Sequence, residues 1–178
     1  KLYLIENCIY GVDIQPIAVQ IAKLRFFISL ICDQRADQIE GLDTEGGQNN
    51  RGVLALPNLE TKFVAANTLI GIEKPKAEQS LFDNAEVNKL EEQLKDIRHR
   101  LFSAKTPKTK RELREKDQKL REQMSGLLET AGLEHDTARQ LAAWDPYDQN
   151  ASSGFFDSEW MFGIEDGFDV VIGNPPYL

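Results

Sequence analysis

The spacing of apolar residues changes several times along the chain, and each change predicts an element. Residues 5–14, which include Asn7-Cys8-Ile9-Tyr10-Gly11-Val12-Asp13-Ile14, read as a first strand that ends on an acid. Pro16 then stands where a helix can begin, because its missing N–H costs nothing in the first turn. Ile17, Ile21, Leu24, Ile28 and Ile31 recur every three or four residues and predict a helix with one apolar face. Periodicity disappears over residues 33–58, where Gly41, Gly46, Gly47 and Gly52 predict a loop, with mobility at 43–51 and residues 54–59 packing back onto the helix. Residues 62–66 read as a short strand followed by Asn67-Thr68-Leu69-Ile70-Gly71, and residues 73–79, with Pro75, as a polar link.

Beyond the link the apolar pattern narrows. Val87, Leu90, Leu94, Ile97 and Leu101 alternate spacings of three and four on a polar background, which is a heptad seam. Leu113, Leu120, Met124 and Leu127 form a partner seam after the break at Thr106-Pro107-Lys108. The two predict an antiparallel helical hairpin with its tip at residues 103–109 and capping boxes at Asp83 with Glu86 and at Thr109 with Glu112. Residues 144–151 and 155–162 are aromatic and read as core or groove lining. Finally, Asp169-Val170-Val171-Ile172 reads as a strand buried on both faces, stopping at Gly173.

Composition changes this picture in one respect. The chain of 178 residues is long enough for one domain, and 41% hydrophobic with 28% charged is ordinary for a globular protein. No apolar run is long enough to span a membrane and no signal peptide is visible, so a cytoplasmic setting is expected. Cys8 and Cys32 lack metal-ligand spacing and are expected to be reduced core residues; His99 and His135 are expected at the surface. Net charge is −8, yet residues 95–121 carry eleven Lys or Arg against four acids. The remainder therefore holds −15, and a local phosphate-binding patch stays open despite the acidic mean. A solvated coiled-coil spacer explains the same lysines.

The candidate chemistry sits where the last strand ends. Asn174 has a side-chain oxygen, and the rings of Pro175 and Pro176 fix φ so that the Pro175 carbonyl points outward. Two such acceptors can grip an exocyclic amine, favour its pyramidal form and stabilise positive charge as it attacks an electrophilic methyl group. Tyr177 offers a flat face for stacking a base. Asp13 suits two roles equally on spacing alone: accepting from ribose hydroxyls, or capping the helix ahead of Pro16.

Ile172-Gly173-Asn174-Pro175-Pro176-Tyr177, preceded by Gly167-Phe168-Asp169-Val170-Val171, resembles the catalytic motif of N6-adenine DNA methyltransferases of the large single-chain type II restriction-modification kind. Gly11-Val12-Asp13-Ile14-Gln15-Pro16-Ile17-Ala18 resembles their acidic motif and favours the ribose role for Asp13. The resemblance implies S-adenosylmethionine as cofactor, with Ile14 against its adenine ring and Asn67 at its adenine amine, although a turn role for Asn67 is equally simple. It implies double-stranded DNA as substrate, with the adenine flipped out of the stack.

The implied fold is α/β, a partial Rossmann-like S-adenosylmethionine-dependent methyltransferase fold with an inserted antiparallel helical hairpin. Residues 1–74 would be partial core, 75–131 the insertion and 132–178 the return to core. No G-x-G occurs, so the glycine-rich turn that holds the cofactor's methionine end is not in this sequence. A chain that lacks it, and the strand before it, is expected to be an inactive piece of a longer enzyme. A protein-glutamine or ribosomal methyltransferase uses the same kind of grip, and a non-catalytic helical interaction module is the alternative outside enzymes.

Overall fold

The computed structural model describes residues 1–33, 56–72, 85–130 and 132–173, with Ala85 as backbone only. Six helices and two strands are assigned among them: α1 (Leu2–Asn7), β1 (Gly11–Asp13), α2 (Pro16–Cys32), β2 (Phe63–Ala65), α3 (Ala85–Phe102), α4 (Pro107–Thr130), α5 (His135–Ala143) and α6 (Ser158–Phe162). β1 and β2 pair in parallel, with Gly11 opposite Phe63, Val12 opposite Val64 and Asp13 opposite Ala65. α2 makes the crossover between them and packs on both strands. This is a mixed α/β arrangement with a small parallel sheet.

The expected first strand is much shorter than its apolar run. Leu2–Asn7 is helical, closed by Cys8 N–H donating to the Leu4 carbonyl at 2.8 Å, and only Ile5 of that turn is buried. The ladder begins at Gly11, whose N–H donates to the Lys62 carbonyl at 2.9 Å. A Cβ at Gly11 would lie 2.5 Å from Phe63 Cδ1, so the Phe63 ring occupies the space that a side chain would need. Both cysteines are free and exposed, not core residues as expected.

The α2 expectation is also overturned on its face. Ile17, Ile21, Leu24, Ile28 and Ile31 are exposed, and Val19, Lys23 and Leu30 are buried. The inward face packs Val19 and Leu30 with Ile5, Leu59, Phe63 and Phe102; Phe26 and Phe63 stack at 4.7 Å between centroids. Leu59 and the half-buried Leu56 do pack back onto the helix as expected. The expected mobile loop at 43–51, the link at 73–79 and Asp83 of the first capping box lie outside the described residues.

The hairpin is present. Leu101, Ala104 and Leu113 cluster at one end, and Val87, Met124 and Leu128 at the other, so α3 and α4 run antiparallel. Thr106, not Thr109, caps α4: its Oγ1 accepts from Thr109 N–H at 3.2 Å, with Pro107 as the first helical residue. Trp144, Phe155, Trp160 and Met161 bury against the hairpin and against Val64 and Ala66 of the sheet region.

Residues 169–172 correct the sequence reading most sharply. They form no strand; Val170, Val171 and Ile172 are 74%, 80% and 92% exposed. A β-branched run needs a neighbouring strand to satisfy its backbone and cover its side chains, and among the described residues none is laid beside it.

Candidate functional site

The parallel register carries Asp13, the last residue of β1, and Asn67, just past β2, to the same carboxyl edge. The Asp13 carbonyl accepts from Ala66 N–H at 2.9 Å, and its Oδ1 accepts from Gln15 N–H at 2.8 Å. That second bond is an Asx turn that shapes the entry to α2, whose N-cap, Gln15, makes no side-chain cap bond. Asn67 Oδ1 likewise accepts from Leu69 N–H at 3.0 Å. Both candidate residues therefore spend one oxygen on local turn geometry, which fixes the side chains at the edge. Ile14 is 57% exposed beside them, an apolar surface next to an acid.

A third segment completes this edge. Ser153 pairs in parallel with Ala66 as a one-residue bridge: its N–H donates to the Ala65 carbonyl at 2.8 Å, and its carbonyl accepts from Asn67 N–H at 3.0 Å. Ser152 Oγ donates to the Ile14 carbonyl at 2.9 Å. Ser152 and Ser153 escaped the sequence reading because a single-residue bridge leaves no periodic signature. A cleft of about 570 Å³ opens on β2 between α2 and residues 143–155, lined by Lys23, Trp144, Ser152 and Phe155 among others. Asp13, Ile14 and Asn67 stand outside it. Burial holds the Lys23 ammonium below the usual lysine range, and the Glu60 carboxylate partly restores it.

Asn174, Pro175, Pro176 and Tyr177 lie outside the described residues. Their lead-in is tied to the core at Phe168, whose ring sits 6.0 Å from Tyr10 and 6.3 Å from Phe162 between centroids.

The hairpin is held against the segments that precede this lead-in by a buried ionic network. Asp117 is fully buried; its Oδ1 accepts from Arg98 Nε at 3.1 Å and its Oδ2 from Arg121 Nε at 2.8 Å. Arg98 Nη1 donates onward to the Trp160 and Met161 carbonyls at 3.0 and 3.1 Å, and Arg121 Nη1 to the Trp144 carbonyl. Nearby, burial pushes the Tyr147 hydroxyl far above the usual tyrosine range, with the Asp117 charge adding to it. At the tip, Asn58 Nδ2 donates to the Leu101 and Ala104 carbonyls at 2.6 and 3.1 Å, satisfying groups that the end of α3 leaves open. These residues make the hairpin part of the core rather than a solvated spacer. Among the described residues no group of three His, Cys, Asp or Glu is placed to hold a metal ion. No helix among them is long and apolar enough to cross a membrane.

In open α/β sheets ligands bind outside the carboxyl ends of the strands, and that is the edge on which Asp13, Ile14 and Asn67 stand. The family model of the Eco57I restriction-modification methylase matches residues 7–178, and the chain belongs to that family. A protein of Methanocaldococcus jannaschii named "Putative type II restriction enzyme and methyltransferase RM.MjaORFECS2P" is 45% identical over 71 residues. That match spans 40% of this chain and 5% of the relative's length. No solved structure matches.

Proposed function

We propose that the chain belongs to a site-specific DNA methyltransferase that moves a methyl group from S-adenosylmethionine to the N6 amine of adenine in duplex DNA, within a restriction-modification or phage-defence system. Family membership supports DNA methyl transfer, and the Asn174-Pro175-Pro176-Tyr177 motif supports adenine as the base. The observation that carries the cofactor reading is the meeting of Asp13, Ile14 and Asn67 at one sheet edge. Asp13 offers a carboxylate to vicinal ribose hydroxyls, exposed Ile14 a surface for a purine face, and Asn67 an amide for its exocyclic amine. These donors and acceptors fit a nucleoside. When bound, S-adenosylmethionine supplies an electrophilic methyl group on a sulfonium.

The chain's own share of the chemistry lies in the terminal motif. Asn174 Oδ1 and the Pro175 carbonyl accept from the two N–H bonds of the target amine, which localises its lone pair for attack. Pro176 stiffens the turn that aims the carbonyl, and Tyr177 stacks on the extruded base, replacing neighbours lost on flipping. Residues 1–74 supply the cofactor edge, 75–131 the inserted hairpin and 132–178 the return to the catalytic turn.

The test is Asn174→Ala in the intact protein, with transfer of labelled methyl groups to duplex DNA as the readout. Adenine methylation is expected to fall at least about 100-fold, the scale of losing one preorganised acceptor, with DNA affinity kept. Unchanged methylation, or methyl groups on cytosine, refutes the assignment.

A further inference from the structure

The eleven cations of residues 95–121 divide into two groups. Five are neutralised within the fold. Lys95 pairs with Glu165 at 2.8 Å, Arg100 with Asp96 at 3.3 Å and Arg114 with Glu60 at 3.0 Å, while Arg98 and Arg121 share Asp117. The other six, Lys105, Lys108, Lys110, Arg111, Lys116 and Lys119, make no ion pair with any described residue. Four of the six fall within residues 105–111, a stretch of seven with no acid. Lys105, Lys108 and Arg111 are exposed and Lys110 is half-buried. They crowd the hairpin tip and the start of α4, where the helix dipole favours an acid and none is present. Helix electrostatics therefore do not account for their placement.

Lys105, Lys110 and Arg111 line an open groove of about 690 Å³ beside α4. Arg114 and Arg121, both already paired, line it further along the helix, together with Glu115, Asp145 and Asp148. The positive character is thus concentrated at the outer end. We propose that Lys105, Lys108, Lys110 and Arg111 form a contact surface for the phosphate backbone of duplex DNA. This rests on DNA as the substrate and adds where the backbone is gripped. The tip chemistry selects among polyanions. Residues 103–111 contain no aromatic side chain on which unpaired bases would stack, and no exposed large apolar side chain to enter a lipid surface. The Ser103 hydroxyl donates to the Arg100 carbonyl and the Thr106 and Thr109 hydroxyls bond each other, so the cations carry the contact. The tip is also rigidly placed, since Asn58 and the Arg98–Asp117–Arg121 network fix the hairpin to the core.

The test uses the intact protein and a fluorescein-labelled duplex, with affinity measured across a salt series. In a variant carrying K105Q, K108Q, K110Q and R111Q, the slope of log affinity against log salt is expected to shrink by about 3.6, since each of the four phosphate contacts contributes about 0.9. Replacing the three lysines by arginine is expected to restore the slope. A control carrying K95Q and R100Q, whose cations are already paired, is expected to bind as wild type. Adenine methylation at saturating DNA is expected to persist in the tip variant. A tip variant that keeps the wild-type slope overturns the proposal and leaves the methyltransferase reading standing. An equal loss in the control overturns it too, because net charge alone would then explain binding. A wild-type protein that binds no duplex overturns both.

Discussion

On α4, Leu113, Leu120, Met124 and Leu128 are at most 9% exposed, while on α2 the equally regular Ile17, Ile21, Leu24 and Ile28 are all at least 52% exposed. Both helices show the period of three and four that predicts an apolar face. They differ in what lies between the apolar positions. α4 sets its seam in a background of Lys, Arg, Glu and Gln, so only one face can go inward. α2 carries Val19, Ala22, Phe26, Phe27 and Leu30 opposite its isoleucine stripe, so it offers two apolar faces, and the second is the one that meets β2 and Leu59. A regular stripe therefore fixes the helix, whereas the polarity of the opposite face decides whether that stripe is the buried one. A helix that is apolar nearly all round belongs inside a larger core.

The sharpest way to break the packed side is at Asp117, the buried acid among the described residues. Asp117→Ala removes the shared partner of two guanidinium groups, at 2% exposure for Arg121 and 9% for Arg98. Leaving such charges buried and unpaired costs about 3–5 kcal/mol, which urea unfolding would detect as a large drop in midpoint. Replacing all three residues with apolar ones does not escape the cost, because the Trp144, Trp160 and Met161 carbonyls then lose their donors. A loss under about 1 kcal/mol would show that the network contributes little beyond a surface pair.

A matched pair of truncations sets the two sides directly against each other. Leu128→Ala, in the cluster with Val87, Met124 and Trp160, is expected to cost about 2–5 kcal/mol. Ile28→Ala, on the exposed stripe of α2, is expected to stay within about 0.5 kcal/mol in the isolated chain. If Ile28→Ala proves as costly as Leu128→Ala, the α2 stripe is covered in solution, and light scattering would show whether copies of the chain cover it.

How far the sequence could be read follows from the same contrast. The hairpin was legible as two facing seams, because a narrow seam on a polar helix leaves one face to bury, although Leu128 rather than Leu127 is the fully buried position and Thr106 rather than Thr109 the cap. β2 and the positions of Asp13 and Asn67 at strand ends were legible from short apolar runs stopped by polar residues. The strand read at residues 169–172 is absent from the structure, because a β-branched run reports a preference for pairing, while pairing needs a neighbour that no residue of the run encodes. The basic patch was legible as a total but not in its parts. Arg98 and Arg121 look like Lys108 in a charge count, and only packing around Asp117 separates buried cations from available ones. The resemblance of residues 172–177 to a catalytic motif agrees with the family match over 7–178, and the geometry of that motif is left to the Asn174 test.

The smallest effect lies at the rim of the packed side, where α4 hands over to α5. His135 Nδ1 lies 2.7 Å from Glu129 Oε1, and that hydrogen bond, with the Glu129 charge, raises the histidine above its usual value of 6.5. A raised folded-state value means that protonated His135 favours the folded form. Its contribution is complete below the unfolded value and disappears as pH climbs through the higher folded one. Stability is therefore expected to decline slightly with rising pH across that interval, and the fully solvated position of the ring keeps the change small. His135→Gln is expected to flatten that interval in urea midpoints measured across pH, with the low-pH midpoint falling to meet the high-pH one. A slope that survives the substitution would assign the titration to another group and leave the α4–α5 junction without an ionic contribution.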